Sequence, residues 1–233
     1  MKMGGVGFWI EFLMPIVVIV LHYYIFLALG RYMPANIPIE LFVLGGFPVW
    51  FTFRNCTAGV TRREEDGPGI FLIPGVTPND ILAAFALWEI VMMMFVLYVG
   101  LALSQMLLGN EVLPNVPMLT FLFILAALLG TGYKFFFDSL GWIWPLAKSI
   151  KKPLTWLLFL TSGVYYGAQG GKQDFLTDAS WYNPLIHIIE PVRLCIWPGY
   201  PVAKVSIVYA IGWSVGLFLL GLIMKRLLRP WAH

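Results

Sequence analysis

Residues 81–108 read ILAAFALWEIVMMMFVLYVGLALSQMLL and contain a single charged residue, Glu89. A helix needs about 20 apolar residues to cross the hydrocarbon core of a bilayer, so this stretch is long enough to span one. The whole chain agrees with it, because 60% of the residues are hydrophobic and only 12% are charged. A soluble exterior needs more charge than that. The sequence therefore predicts an integral membrane protein.

Five further apolar segments lie on either side of this stretch. The predicted spans are about 8–30, 39–58, 81–108, 117–137, 153–169 and 204–225. The second is the weakest, since Gly45, Gly46 and Pro48 interrupt its apolar pattern, although such residues are tolerated in membrane helices. The first exceeds a signal-peptide core and no Ala-x-Ala site follows it, so it predicts a retained span. We expect an all-α polytopic membrane protein with six transmembrane helices, folded as one domain over residues 1–233.

The segment 170–203, between the fifth and sixth predicted spans, is apolar and aromatic but broken by four prolines. Its pieces are too short to span a bilayer, and Trp and Tyr favour the depth of the lipid headgroups. This pattern predicts two short re-entrant helices that dip into the outer leaflet or pack across the helix bundle.

The distribution of lysine and arginine predicts the orientation. With both termini placed in the cytoplasm, eleven of the 15 basic residues fall inside and four fall outside, as the positive-inside rule requires. The inner loop 59–80 then carries a charged stretch followed by Gly67-Pro68-Gly69. It favours either a docking site for a protein partner or a solvated loop without one; the charged residues are Arg62, Arg63, Glu64, Glu65 and Asp66.

Several classes of function lack their motifs in this sequence. There is no Gly-x-x-x-x-Gly-Lys-Ser/Thr phosphate loop, so an ATP-driven process would need a second polypeptide. Cys56 and Cys195 have no neighbours at metal-ligand spacing, and no nucleic-acid motif is present. We therefore expect no metal, no cofactor in this chain and no nucleic-acid partner.

Polar residues at membrane depth are candidates for function. A carboxylate such as Glu89 is costly there, so it either pairs with a basic group (Arg54 or Lys134) or takes part in transport. His187 and Glu190 share a helix face at i, i+3 spacing and are expected to orient a short interfacial helix. Ser162 with His187 would suit a membrane serine protease, but Leu160 stands where the Gly-x-Ser-Gly pattern needs glycine.

Aromatic side chains are dense in the outer half. They could stack on sugar rings, or they could form an ordinary belt at the membrane surface. The residues are Tyr165, Tyr166, Trp181, Tyr182, Trp197 and Tyr200.

Residues 181–193 read WYNPLIHIIEPVR, and PGYP follows at 198–201. This tract resembles the segment ahead of the last span in ABC-2 type permeases that export capsular polysaccharide and polysialic acid. That family reads roughly Trp-Asn-Pro-Leu-x-His-x-x-Glu-x-x-Arg, then Gly-Tyr, and Tyr182 is an insertion here. Supporting similarities are TSGVYY at 161–166, WFTFRN at 50–55 and EFLMP at 11–15.

The resemblance covers nearly the whole chain and implies a permease subunit of the bacterial inner membrane. It implies pairing with a second copy of itself and with two copies of a separate ATPase, which would bind ATP and magnesium. A lipid-linked acidic polysaccharide is the implied substrate, and a periplasmic co-polymerase or export adaptor is a further implied partner. The family's coupling helix corresponds to the charged stretch at 61–66. An interfacial helix normally precedes the first span, and this chain starts almost at the span.

The resemblance also implies candidate channel or gate residues, which are Arg54, Asn55, Asn183, His187, Glu190 and Arg193. The aromatic Tyr165, Tyr166, Trp181 and Tyr200 are further candidates for the channel or its gate, and Glu89 joins Arg54 and Asn55 as a polar residue within the membrane. The alternatives are a related permease for O-antigen or teichoic acid, and a membrane-embedded enzyme such as an intramembrane protease.

Overall fold

The computed structural model describes residues 6–30, 36–59, 77–110, 112–167, 175–201 and 204–228. Within these ranges the regular structure is entirely helical. The helices are α1 (Val6–Ala28), α2 (Ile39–Ala58), α3 (Pro78–Leu108), α4 (Val116–Ile143), α5 (Leu146–Leu160), α6 (Phe175–Ser180), α7 (Ile186–Ile196) and α8 (Ile207–Leu228).

Polar residues in the connecting segments start the longest helices. The Thr77 hydroxyl accepts from the Asp80 backbone N–H at 3.3 Å, and the Asp80 carboxylate accepts from the Thr77 N–H at 2.8 Å. This reciprocal capping satisfies donors that have no partner inside a helix, and Pro78 adds a preset φ at the first turn. The Asn115 side chain caps α4 by accepting from the Met118 N–H at 3.2 Å.

Helix α4 is the centre of the bundle. It packs against α2, α3, α5, α7 and α8, while α1 packs mainly against α2. Two glycines permit close approach of the backbones. A Cβ at Gly130 would lie 2.5 Å from the carbonyl oxygen of Phe53 in α2, and one at Gly132 would lie 2.5 Å from the backbone nitrogen of Phe218 in α8. Small residues at such crossings are typical of helix packing within membranes.

Three of the described helices are long and apolar enough to cross a membrane: Asn79–Leu108, Val116–Ile143 and Ile207–Leu228. Large apolar side chains on the outer faces of α3 and α8 are exposed, among them Phe95 and Leu219. A soluble protein would bury them, whereas lipid accepts them. The prediction of an all-helical protein with several membrane-length helices is therefore confirmed.

The fifth predicted span differs from the structure. Expected at 153–169, the helix instead runs from Leu146 to Leu160, and at 15 residues it is only about 22 Å long. The chain turns directly after it, since Gly163 adopts a φ of 78° and the Ser162 hydroxyl donates to the Phe159 carbonyl at 2.7 Å. Hydropathy did not locate this end because the turn residues Thr161, Ser162 and Gly163 are buried, and Val164, Tyr165 and Tyr166 continue the apolar pattern after them.

In its described part, 175–201, the predicted re-entrant segment contains two short helices, α6 and α7. Helix α7 has 11 residues, about 17 Å, so it is too short to span a bilayer. Nine of its side chains are buried, from Ile186 through Arg193 and again at Ile196. It packs against α2, α4 and α8. Of the two arrangements that the sequence left open, packing within the bundle describes α7.

Candidate functional site

Arg193 occupies a socket between α7, α2 and the turn after α5. Its guanidinium donates to Glu190 Oε1 at 2.7 Å, to the Gly163 carbonyl at 2.8 Å and to the Val164 carbonyl at 3.2 Å. It also lies over the Phe42 ring, with Cζ 3.7 Å from the ring centroid. Both charged side chains are fully buried. A buried guanidinium needs such partners because an uncompensated charge is costly in a low-dielectric interior.

Glycines in α2 make room for this side chain. A Cβ at Gly45 would lie 2.6 Å from Arg193 Cγ, and one at Gly46 would lie 3.0 Å from the guanidinium nitrogen Nη2. In the sequence, Gly45 and Gly46 only interrupted the apolar pattern of the second predicted span. In the structure, they allow α7 to pack closely against α2. Close approach of two elements is a common reason for glycine inside a helix.

Tyr200 also binds the carboxylate of this ion pair. Its phenol donates to Glu190 Oε1 at 3.2 Å, and burial raises the pKa of Tyr200, so the hydroxyl keeps its proton. The structure thus brings together three predicted site residues, Glu190, Arg193 and Tyr200, in the interior. Their geometry favours holding α7 in place over contact with a passing polymer.

Asn183 links the start of α7 to the end of α5. Its amide nitrogen donates to the Leu158 carbonyl at 2.7 Å and to the Thr161 hydroxyl at 2.9 Å. Its side-chain oxygen accepts from the Leu185 N–H at 2.9 Å. The bond from the Leu185 N–H closes a local turn, whereas the two amide bonds reach back to the end of α5, so Asn183 positions the chain at this corner.

His187 bridges the segments on either side of α7. Its Nδ1 accepts from the Ser206 backbone N–H at 3.1 Å, so its Nε2 carries the proton and donates to the Trp181 carbonyl at 3.0 Å. Burial lowers the pKa of His187, and the bond to the Trp181 carbonyl opposes that shift. A neutral imidazole is what this pair of contacts requires, because Nδ1 can accept only while it is unprotonated.

Tyr165 lies in the turn after α5 and contacts α1. Its hydroxyl lies 3.0 Å from His22 Nε2, and the other nitrogen of His22 lies 2.7 Å from the Val18 carbonyl. The rings of Phe47 and Phe159 pack around Tyr165. Tyr166 follows it and is half-buried.

Two of the predicted polar residues of the membrane interior, Asn55 and Glu89, meet between α2 and α3. The Asn55 amide donates to Glu89 Oε2 at 2.8 Å, and the Glu89 side chain is buried. Arg54 is exposed, with its guanidinium 5.0 Å from the centroid of the Phe51 ring. The predicted coupling residues 62–66 lie outside the described residues.

An open cavity of about 650 Å³ lies at the junction of α6, α7 and α8. Trp181 and His187 were predicted as site residues and Tyr182 as an aromatic that could stack on sugars, but the other lining residues were not predicted. They are Asp178, Lys204, Ser206 and Tyr209. In the sequence, the only signal for them is that isolated charged residues stand among many aromatic residues in 178–209. They form one cavity only because folding brings the start of α8 beside the end of α6.

Ser162 and His187 do not form a catalytic pair. The Ser162 hydroxyl donates to the Phe159 carbonyl, and both His187 nitrogens are engaged by the backbone of Trp181 and Ser206. A serine nucleophile would need the imidazole within hydrogen-bond reach. This geometry does not favour the protease alternative.

Comparison with known proteins identifies relatives of the chain. Two Escherichia coli sequences described as polysialic acid transport protein KpsM are each 26% identical over 197 residues, covering 84% of this chain and 75% of the relative. The chain is similar to this transport protein over most of its length. The resemblance predicted from residues 181–193 is therefore confirmed. No family model matches the chain.

Proposed function

We propose that this chain is the permease subunit of an ATP-driven exporter that moves lipid-linked capsular polysaccharide across the bacterial inner membrane. The observation that carries the proposal is the similarity to a polysialic acid transport protein over most of both chains. Apolar membrane-length helices, and a short buried helix α7 that carries His187, Glu190 and Arg193, fit such a role. The chain is a transport subunit and not an enzyme. The O-antigen and teichoic-acid alternatives have no observation in their favour.

Deletion of the gene in its own host tests this function. Export should stop, so polysaccharide should disappear from the cell surface and accumulate inside the cell. Both pools are measured with a capsule-specific antibody or lectin before and after the cells are opened. Restoring the intact chain from a plasmid is the control. Normal surface polymer in the deletion strain would contradict the proposal.

We propose a topology of six spans with both termini in the cytoplasm. In this topology α6 and α7 are re-entrant helices that enter from the outer side. The excess of basic residues on one side supports it. Helices α1 and α2, with 23 and 20 residues, are about 34 Å and 30 Å long. These lengths match a hydrocarbon core of about 30 Å.

Two exposed positions test the orientation. In a Cys195→Ser background, a membrane-impermeant maleimide should label Tyr182→Cys on intact cells and Arg226→Cys only after the membrane is opened. Tyr182 is 80% exposed and Arg226 is also exposed, whereas the native Cys56 is buried and should not react. The opposite labelling pattern would reverse the topology.

Energy would come from a separate ATPase that binds ATP and magnesium, two copies of it per exporter, docked on residues 61–66. The mixed charge of Arg62, Arg63, Glu64, Glu65 and Asp66 supports a protein partner there. Arg62→Glu with Arg63→Glu should reduce co-purification of the ATPase, while Lys148→Glu with Lys152→Glu, at exposed lysines elsewhere, should not. Equal recovery of ATPase with both double variants would exclude this loop as the main dock.

We also propose that the chain acts as a homodimer, and that a periplasmic co-polymerase or export adaptor receives the polymer. The family resemblance supports both. Native mass spectrometry of the chain in nanodiscs would show whether two copies are present.

Channel contacts are proposed for the predicted residues that reach a surface. Trp181, Tyr166 and Tyr165 are half-buried and lie near the outer end of the bundle, so they could contact the polymer. Asn183, His187, Glu190, Arg193 and Tyr200 are buried, and their role would be to hold α7 beside the path. Arg54, Asn55 and Glu89 would act at the inner side.

A further inference from the structure

The cavity between α6, α7 and α8 combines three kinds of side chain on one wall. Trp181, Tyr182 and Tyr209 supply aromatic rings, Lys204 supplies a cation and Asp178 supplies a carboxylate. Its volume of about 650 Å³ lies within the range of about 300–1,000 Å³ that is usual for small-ligand sites. A site of this size can hold a short piece of a polymer.

Contacts within the wall keep its shape. The Tyr209 hydroxyl donates to the Tyr182 carbonyl at 2.8 Å, and the Tyr209 N–H donates to the Ser206 hydroxyl at 3.2 Å. The His187 ring packs edge-on against Tyr209, with centroids 4.8 Å apart. These contacts hold the aromatic rings in place, since the buried His187 joins the three chain segments that carry them. The side chains therefore lose little conformational freedom when a ligand binds.

Lys204 is directed toward this wall. Its Nζ lies 5.9 Å from the centroid of the Trp181 ring, and the side chain is exposed. A ligand that places a carboxylate near Lys204 would therefore have an aromatic ring beside it. An aromatic ring offers an apolar face to the C–H groups of a sugar, and Asp178 can accept hydrogen bonds from sugar hydroxyls.

We propose that this cavity is a binding subsite for an acidic sugar unit, with Lys204 as the partner of the sugar's carboxylate and Trp181, Tyr182 and Tyr209 as the stacking surface. The proposal rests on the proposed export function and adds its outer binding site. A phospholipid headgroup also carries an anion. Asp178 repels either anion, but the sugar fits better, because its hydroxyls can donate to Asp178 and its C–H face can stack on the rings, whereas a phosphate group offers neither.

Binding to the purified full-length chain in phosphatidylcholine nanodiscs tests the proposal. The probe is a sialic acid tetramer, with the neutral maltotetraose as its counterpart, and binding is followed by isothermal titration calorimetry. Lys204→Ala should weaken binding of the acidic tetramer about tenfold, as expected for loss of a hydrogen bond to a charged group. Tyr182→Ala should weaken both probes severalfold.

Two matched controls remove the same groups elsewhere. Lys152→Ala removes an exposed lysine outside the cavity, and Tyr24→Ala removes an exposed tyrosine on α1. Both should leave binding of the tetramer unchanged. Equal binding in Lys204→Ala, Tyr182→Ala and the wild type would overturn the subsite, as would the absence of saturable binding by the wild type.

A second measurement distinguishes a sugar carboxylate from a lipid phosphate as the anion that Lys204 binds. Spin-labelled phosphatidylglycerol in the nanodisc quenches tryptophan fluorescence when its headgroup approaches a ring. If Lys204→Ala reduced this quenching and left tetramer binding intact, the cavity would be a headgroup site and the sugar proposal would fall.

If tetramer binding fails while gene deletion still stops export, the subsite alone is wrong. If the tetramer binds as expected while the deletion strain keeps its surface polymer, the export function is wrong.

Discussion

Helices α2 and α8 have similar lengths, 20 and 22 residues, but opposite environments. Most residues of α2 are buried, whereas only Ala210, Ser214 and Gly221 are buried in α8. Both helices are long enough for a membrane span, but only α8 is also apolar enough for one. Side chains that face lipid must be apolar along the whole helix. An interior helix can carry glycine, threonine and asparagine, because neighbouring helices supply the hydrogen bonds.

The largest expected effect comes from removing the cation that joins α7 to α2. Arg193→Ala leaves the Glu190 carboxylate buried beside an empty socket, so we expect unfolding to become easier by about 3–5 kcal/mol. Thermal unfolding followed by size-exclusion chromatography measures this. Removal of an exposed cation of α8, by Arg226→Ala, should change stability by less than about 0.5 kcal/mol.

A second variant tests whether charge or packing is responsible. In Glu190→Gln with Arg193→Met, no unpaired charge remains, so much of the lost stability should return. If Arg193→Ala and Arg226→Ala were equally stable, a buried cation would contribute no more to stability than an exposed one. That result would contradict the comparison between interior and peripheral helices.

Glycine provides a matched test on the two helices themselves. Gly45→Ala would bring a Cβ within 2.6 Å of Arg193 Cγ, and such overpacking should cost about 1–3 kcal/mol. At Gly216 no heavy atom lies within 4 Å of the added Cβ, so Gly216→Ala should be neutral or stabilise α8 by up to about 1 kcal/mol. The same unfolding assay compares them. A Gly216→Ala variant as unstable as Gly45→Ala would contradict the open space beside Gly216.

The smallest expected effect is a pH dependence at His187, which joins α7 to the start of α8. The unfolded chain takes up a proton near the ordinary pKa of 6.5, whereas burial lowers the pKa of His187 in the folded protein. The unfolded state therefore binds more protons just below pH 6.5, and this contribution to stability is lost as pH falls through that range. Unfolding temperatures measured from pH 7.5 to pH 5 should show the loss.

His187→Gln supplies the control for that measurement. It should lower stability at pH 7.5 by about 1 kcal/mol, the contribution of a typical hydrogen bond, because the Ser206 N–H loses its acceptor. It should also reduce the dependence on acid. Asp178, Lys204 and Tyr209 surround the same cavity and remain in both proteins. An identical slope in the wild type and the variant would mean that another group titrates.

How far prediction reached differs between particular residues. Residues 39–58 were predicted as the second span, and α2 occupies Ile39–Ala58, because the apolar run ends at polar residues that the sequence displays. The end of α5 was misplaced, since Thr161, Ser162 and Gly163 are tolerated within a membrane helix and Val164, Tyr165 and Tyr166 continue the apolar pattern. Arg193 was predicted as a channel cation from its family tract, yet the structure surrounds it with backbone carbonyls, Glu190 and Phe42.

The sequence by itself determined that this is a helical membrane protein and which transport family it resembles. Apolar runs of span length and a short motif such as WYNPLIHIIEPVR are local properties of the chain. Only the tertiary structure decided which polar groups are enclosed and which reach a surface. That decision depends on residues far apart in the sequence, as when Gly45 admits Arg193, or when Lys204 and Asp178 meet at one cavity. The energy of a buried charge depends on its partners, and those partners come together only when the chain folds.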